Sequence, residues 1–203
     1  MSKIKHIVLD MGNVLIEFSP FDIVSRFTQD IDTIETLIGS MFYSSIWRSL
    51  DEGTLDEEEA KKLICKKVEP SLHPIVHQII DEWYQHIDVK EEILPLIKQL
   101  KEKGYGLYLL SNASERFYDY KDQVEAMSYL DGILISADVL VNKPDFKIYD
   151  ILCQKFSLNP DECLFIDDMP VNIKAAIDFG MHGYLYQGNI ELLTRYLKRL
   201  AII

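Results

Sequence analysis

The chain has 203 residues, 48 % apolar and 27 % charged, a globular composition that supports one substantial core or a core carrying a smaller insertion. Its net charge of −12 argues against a binder of nucleic-acid backbones, which needs a basic face. Cys65, Cys153 and Cys163 are odd in number and form no CxxC pair, no stretch approaches the ~18 apolar residues of a membrane helix, and MSKIKHIVLD lacks a secretory leader's apolar region, so a cytoplasmic protein with reduced thiols and no membrane partner is expected.

Residues 6–18 read HIVLDMGNVLIEF, a strand-forming apolar run that ends on Asp10 with Gly12 two positions later. The interval 17–88 holds no convincing strand but several amphipathic stretches, such as FDIVSRF and LDEEEAKKLICKKV, and reads as a helical insertion. A helix is expected over 90–104, stopping at Gly104, followed by the strand YGLYLL (105–110) and the strand GILIS (132–136). PDFKIYDILCQKF (144–156) opens with Pro and Asp as a helix does. CLFI (163–166) is a strand, PVNIKAAIDFG (170–180) a helix, HGYLY (182–186) a strand, and 189–200 a last amphipathic helix. The strand runs are continuous rather than alternating, as in parallel strands covered on both faces. Strands alternating with helices predict a doubly wound, Rossmann-like α/β sheet of residues 1–16 and 89–203, with 17–88 inserted above the strands' carboxyl edge.

Four short stretches carry chemistry. Asp10, at a strand's end, is a metal ligand, a nucleophile or a turn residue. LLSNAS (109–114) offers Ser111 and Asn112 as an anion cradle, although both are also ordinary N-cap residues. VNKPDF (141–146) places Lys143 before a helix, where it can serve as a point charge on a transferring group. LFIDDMPVN (164–172) ends an apolar strand on Asp167 and Asp168, which repel one another unless a cation is present and suggest Mg²⁺. All four lie at or just past a predicted strand's end and can converge on one edge. Asp10 would then attack phosphorus, Mg²⁺ would neutralise the approach of anion to anion, and Ser111 and Lys143 would hold the phosphoryl oxygens.

The order D-x-x-x-V, S-N, K-P and D-D-x-x-x-N resembles the haloacid dehalogenase superfamily of aspartate-nucleophile phosphatases, with 17–88 similar to the helical cap of its subfamily I. The resemblance implies that Asp10 is nucleophile and Mg²⁺ ligand, forming an aspartyl-phosphate. It implies the Gly12 carbonyl as a second ligand, Asp168 as a direct ligand with Asp167 beside it, Asn172 as support of the acidic loop, and Ser111, Asn112 and Lys143 on the phosphoryl group. Most such phosphatases carry a general acid two residues after the nucleophile; here that position is Gly12. The DxGNV variant resembles sugar-phosphate phosphatases, including ones acting on hexose 1-phosphates, whose leaving group needs less protonation.

Trp47 and Arg48, in the insertion, are candidates for contact with the leaving group, against a reading as parts of an ordinary helix ending near Gly53. Asp56 with Glu59 reads as a capping box variant, His73 and His77 as surface residues, and Glu17 as a stand-in for the missing acid. The expected activity is an Mg²⁺-dependent phosphatase for a small phosphorylated metabolite, monomeric or homodimeric. Alternatives are a 2-haloacid dehalogenase, which needs no Mg²⁺, a non-catalytic binding protein on the same scaffold, and a receiver domain, whose acidic residues stand in the reverse order.

Overall fold

Parallel strands need side chains that pack on both faces, and the apolar runs supply them. In the computed structural model, which describes residues 4–203 (His86 by its backbone alone), strands β1 (His6–Leu9), β4 (Gly106–Ser111), β5 (Gly132–Ile135), β6 (Cys163–Asp167) and β7 (His182–Leu185) form one sheet in the order β5-β4-β1-β6-β7. Every pairing is parallel, with Val8 opposite Tyr108 on one side and Phe165 on the other. Alternate residues face opposite sides. Ile7, Leu9, Leu107, Leu109, Leu164 and Ile166 join one core cluster, while Val8, Tyr108, Leu110 and Phe165 join the other.

Helices cover both faces. Leu96, Ile97 and Leu100 of α6 (Leu94–Glu102) and Leu193 and Leu197 of α10 (Ile190–Arg199) enter the first cluster. The second is closed by α8 (Phe146–Phe156), through Ile148 and Leu152, and α9 (Pro170–Phe179), through Ala175 and Ala176. A short α7 (Phe117–Tyr120) lies between β4 and β5. The helix starts and stops follow the expected chemistry: Asp145 accepts the Lys147 N–H at 2.9 Å, Pro170 opens α9, and Gly180 ends it at φ +112°.

The interval 17–88 holds α1 (Pro20–Ser25), α2 (Ile31–Ser40), α3 (Ser45–Asp51), α4 (Glu57–Cys65) and α5 (His73–Glu82). Asp56 caps α4 by accepting the Glu59 N–H at 2.7 Å. Two strands that periodicity cannot reveal close the neck of this insertion: β2 (Ile16–Glu17) pairs antiparallel with β3 (Asp88–Val89). No helix among the described residues is long and apolar enough to cross a membrane.

The C-terminal end of α3 is fixed to the sheet's carboxyl edge at three points. Asn142 Nδ2 donates to the Arg48 carbonyl at 2.9 Å, the Ser136 hydroxyl donates to the Asp51 carbonyl, and Gly53 backs onto Ala137. Gly53 has φ +72°, and a Cβ there would stand 2.8 Å from the Ala137 carbonyl oxygen. Gly53→Ala therefore combines left-handed strain with a backbone clash and should lower stability by about 1–3 kcal/mol in urea unfolding. A loss of only a few tenths would mean that this contact does not hold the helix down.

Candidate active site

The sheet reverses its winding at β1. The chain runs outward to β4 and β5 on one side and then returns to β6 and β7 on the other. A crevice opens at such a point beyond the carboxyl ends of the strands. Asp10 follows β1 there, its N–H still bonded to the Ile166 carbonyl at 2.9 Å, with Ser111 ending β4 and Asp167 ending β6.

Lys143 organises the centre. Its buried ammonium donates to Asp10 Oδ1 at 2.8 Å, to Asp167 Oδ2 at 2.7 Å and to the Leu110 carbonyl at 2.9 Å, so all three protons are used. Burial works against its charge, but the two carboxylates outweigh burial and hold its pKa above the usual lysine value. Burial also pushes the Asp10 carboxyl up to about 7, partly opposed by Lys143 and reinforced by Asp167.

The acidic doublet divides its work. Asp167 is fully buried; Oδ1 accepts the Met169 N–H at 2.7 Å, and both oxygens accept from Asn172 Nδ2 at 3.1 Å. Asp168 is half-buried and accepts from Asn13 Nδ2 at 2.9 Å, and its pKa is raised chiefly by burial. Asp10, Asp167 and Asp168 bring oxygens within 4.8 Å of one another. Three carboxylates stand against the single Lys143 ammonium, a hard-oxygen set with excess negative charge that suits Mg²⁺. Asp10 and Asp168 are its freer donors.

Two expectations need correction beside this centre. The Asn112 side chain is not free for a phosphoryl group: Oδ1 accepts the Lys143 N–H at 2.7 Å and Nδ2 donates to the Lys143 carbonyl at 3.0 Å. It clamps the peptide that carries the ammonium. Ser111 is freer, its hydroxyl keeping only a 3.5 Å contact with the Asn112 carbonyl. Glu17 cannot replace the missing acid, because its exposed carboxylate pairs with Lys90 at 2.5 Å and lines a different, smaller cavity. At Gly12 an added Cβ would meet only Phe18 Cβ, at 3.7 Å, so neither space nor positive φ requires glycine there.

The crevice is a cavity of about 190 Å³ that takes in Asp10, Gly12, Ser111, Lys143 and Asp168. Its outer wall is aromatic: Phe18, Trp47, Trp83 and Tyr120, with the two tryptophan rings edge-to-face at 5.7 Å. Trp47 thus lines the cavity, whereas Arg48 does not. Ile46, Trp47 and Leu50 form the buried face of α3, which leaves the Arg48 side chain exposed. His73 and His77 lie on α5, away from this wall.

Sequence reasoning missed three contributors. Asn13 sits at φ +56°, which asparagine tolerates better than most residues, and ties the β1 loop to the acidic loop. Arg116 forms a two-pronged pair with Glu57 of α4 and stacks 4.8 Å over the Tyr84 ring, joining sheet edge to insertion. Asp51 lines the cavity from the end of α3.

A doubly wound sheet with an aspartate at its switch point, a buried lysine and an acidic doublet defines a class of aspartate-centred hydrolases. A family model of haloacid dehalogenase-like hydrolases matches residues 4–180, and the chain belongs to that family. The chain is 26 % identical over 158 residues to flavin mononucleotide hydrolase 1 of Arabidopsis thaliana. That alignment takes in 77 % of this chain but 62 % of the relative, so the chain spans less than two thirds of its length. It is 25 % identical over 192 residues to D-ribitol-5-phosphate phosphatase of Bacteroides thetaiotaomicron, covering 89 % and 91 % of the two chains. A family enzyme of Bacteroides thetaiotaomicron, solved with magnesium and inorganic phosphate, superposes with a TM-score of 0.73 at 22 % identity, over 94 % of this chain and 98 % of that one; the fold is shared.

Proposed function

We propose that this hydrolase is an Mg²⁺-dependent phosphatase of small phosphorylated metabolites that works through an aspartyl-phosphate on Asp10, with residues 17–88 acting as a cap over a core of 1–16 and 89–203. The observation that carries the reading is the clustering of Asp10, Asp167 and Asp168, with the buried Lys143 paired to Asp10 and Asp167, beside a Ser111 hydroxyl with no strong partner.

Asp10 and Asp168, with the Gly12 carbonyl, would hold Mg²⁺, which when bound neutralises the anionic substrate against an anionic nucleophile. Asp10 attacks phosphorus through a carboxylate oxygen, and Lys143, bonded to Oδ1, holds the carboxyl in place and favours its ionised form. Ser111 donates to a phosphoryl oxygen. Asp167 and Asn112 position the lysine from its two ends. The aromatic wall excludes water from the leaving-group side.

The relatives support a phosphate monoester as substrate, being named for flavin mononucleotide and ribitol 5-phosphate. The magnesium and phosphate in the structural neighbour support the metal. Sugar phosphates, hexose 1-phosphates among them, are the first substrates to try, since ring faces such as Trp47 and Trp83 stack on sugar rings.

The test is phosphate release from sugar and nucleotide phosphates with Mg²⁺ and with EDTA. The expected result is release from at least one of them, abolished by EDTA. Halide release from 2-haloacids that EDTA leaves untouched would replace this reading with a dehalogenase.

A further inference from the structure

We propose that Asp51, carried into the site by the insertion, is the general acid and then the general base of this enzyme, in the place that Gly12 leaves open. The inference rests on the phosphatase reading above.

Its position is built rather than incidental. Asp51 lines the same cavity as Asp10, Gly12 and Lys143. Its carboxylate accepts the backbone N–H of Ser114, in the loop that follows Ser111. Its own carbonyl is held by Ser136, one turn back the Arg48 carbonyl is held by Asn142, and Gly53 is seated on Ala137. A carboxylate fastened at both its main chain and its side chain does not wander.

The placement is unfavourable for stability alone. A negative charge in the last turn of α3 opposes the helix dipole. Among the described residues no cation pairs with it, and Asp10 stands close enough to repel it. Burial, then the charge on Asp10, push its pKa well above the ordinary aspartate value, while the Ser114 N–H pulls the other way. A shift in that direction is the one a general acid needs, and the placement of the carboxyl in the cavity beside Gly12 supplies the geometry.

The other titratable groups of the cavity are spent. All three Lys143 protons are donated, Asp168 is held by Asn13, and Tyr120 turns its hydroxyl to Met11 Sδ at 3.7 Å, with burial pushing its pKa far up.

In the first step the Asp10 Oδ–P bond forms and the bond from phosphorus to the leaving oxygen breaks. The departing electron pair takes the Asp51 proton, so an alcohol leaves. In the second step the Asp51 carboxylate accepts a proton from water as that water's oxygen bonds to phosphorus. The Asp10–P bond breaks, its electron pair returns to Asp10, inorganic phosphate departs, and Asp51 is protonated again.

The experiment compares the wild type, D51N and D51E on aryl phosphates of rising phenol pKa, from 4-nitrophenyl through phenyl to 4-methoxyphenyl phosphate. D51N should lose less than about 10-fold in kcat/KM, which reports the phosphoryl-transfer step alone, on 4-nitrophenyl phosphate and about 10²–10³-fold on the poorer leaving groups, with partial recovery in D51E. Equal losses across the series would reduce Asp51 to a scaffold residue and overturn the assignment. If D51N does not fold, D51S is read in the same way. If neither folds, the wild type decides: a shallow dependence of kcat/KM on phenol pKa supports proton donation, and a steep one overturns it. A wild type that releases no phosphate from any member would instead count against the phosphatase reading.

Discussion

Asp10→Asn is expected to lower phosphate release by about 10⁴-fold or more and, in the same protein, to raise the melting temperature at pH 8 in EDTA by several degrees. The first effect follows, on the proposed mechanism, from removing the nucleophile, whose partners only position it. The second follows from linkage. Asp10 titrates near 3.8 when unfolded and about 7 when folded, because burial outweighs the help from Lys143. A carboxyl with a raised folded pKa costs nothing below its unfolded value, and its penalty grows as pH climbs from about 4 to about 7. At pH 8 the folded chain carries the full cost, roughly 2–4 kcal/mol for a shift of this size. Asparagine is neutral at every pH and carries none of it. The gap in melting temperature should therefore shrink to less than half between pH 8 and pH 5. A gap that is absent at pH 8, or does not change with pH, would show that Asp10 is not held at an energetic cost.

That cost bears on what the sequence could reveal. The strands were legible because each must be apolar on both faces, so HIVL and CLFI stand out as continuous runs. The cluster of acidic residues was legible because a charged residue closing such a run has no packing reason to be there; Asp10, Asp167 and Asp168 are all of this kind. Lys143 was legible only as a point charge, since its three acceptors come from separate strands.

What stayed hidden depends on contacts between distant segments. Asn112 looked like a phosphate ligand because its side chain was read alone, while the Lys143 peptide that occupies it comes from the next crossover. Strands β2 and β3 are two residues each and have no period to detect. Arg48 could have been set aside from sequence, since Ile46, Trp47 and Leu50 already define the inward face of α3. Asp51 could not. Its neighbours Glu52 and Asp56 are acidic too, and only the docking of α3 on Ser136 and Ala137 distinguishes it from a solvated charge.

The lysine offers the sharpest check on how the centre is held together. Lys143→Met should remove activity and destabilise the fold by about 3–5 kcal/mol in EDTA, because it leaves Asp10 and Asp167 buried without their shared cation. Arginine should not rescue it. The three acceptors lie 2.7–2.9 Å from one small ammonium, and a planar guanidinium fork presents its donors in a different arrangement. The damage should also be conditional on Asp10. Adding Asp10→Asn to Lys143→Met removes one of the two orphaned charges, so the double variant should be more stable than Lys143→Met alone, with a coupling energy of about 1–3 kcal/mol across the cycle. Urea unfolding of the four proteins measures it. Additive effects would mean that Lys143 serves Asp167 and the Leu110 carbonyl and is independent of Asp10. A positive coupling would tie the stability of the metal-free centre to the Lys143–Asp10 contact itself.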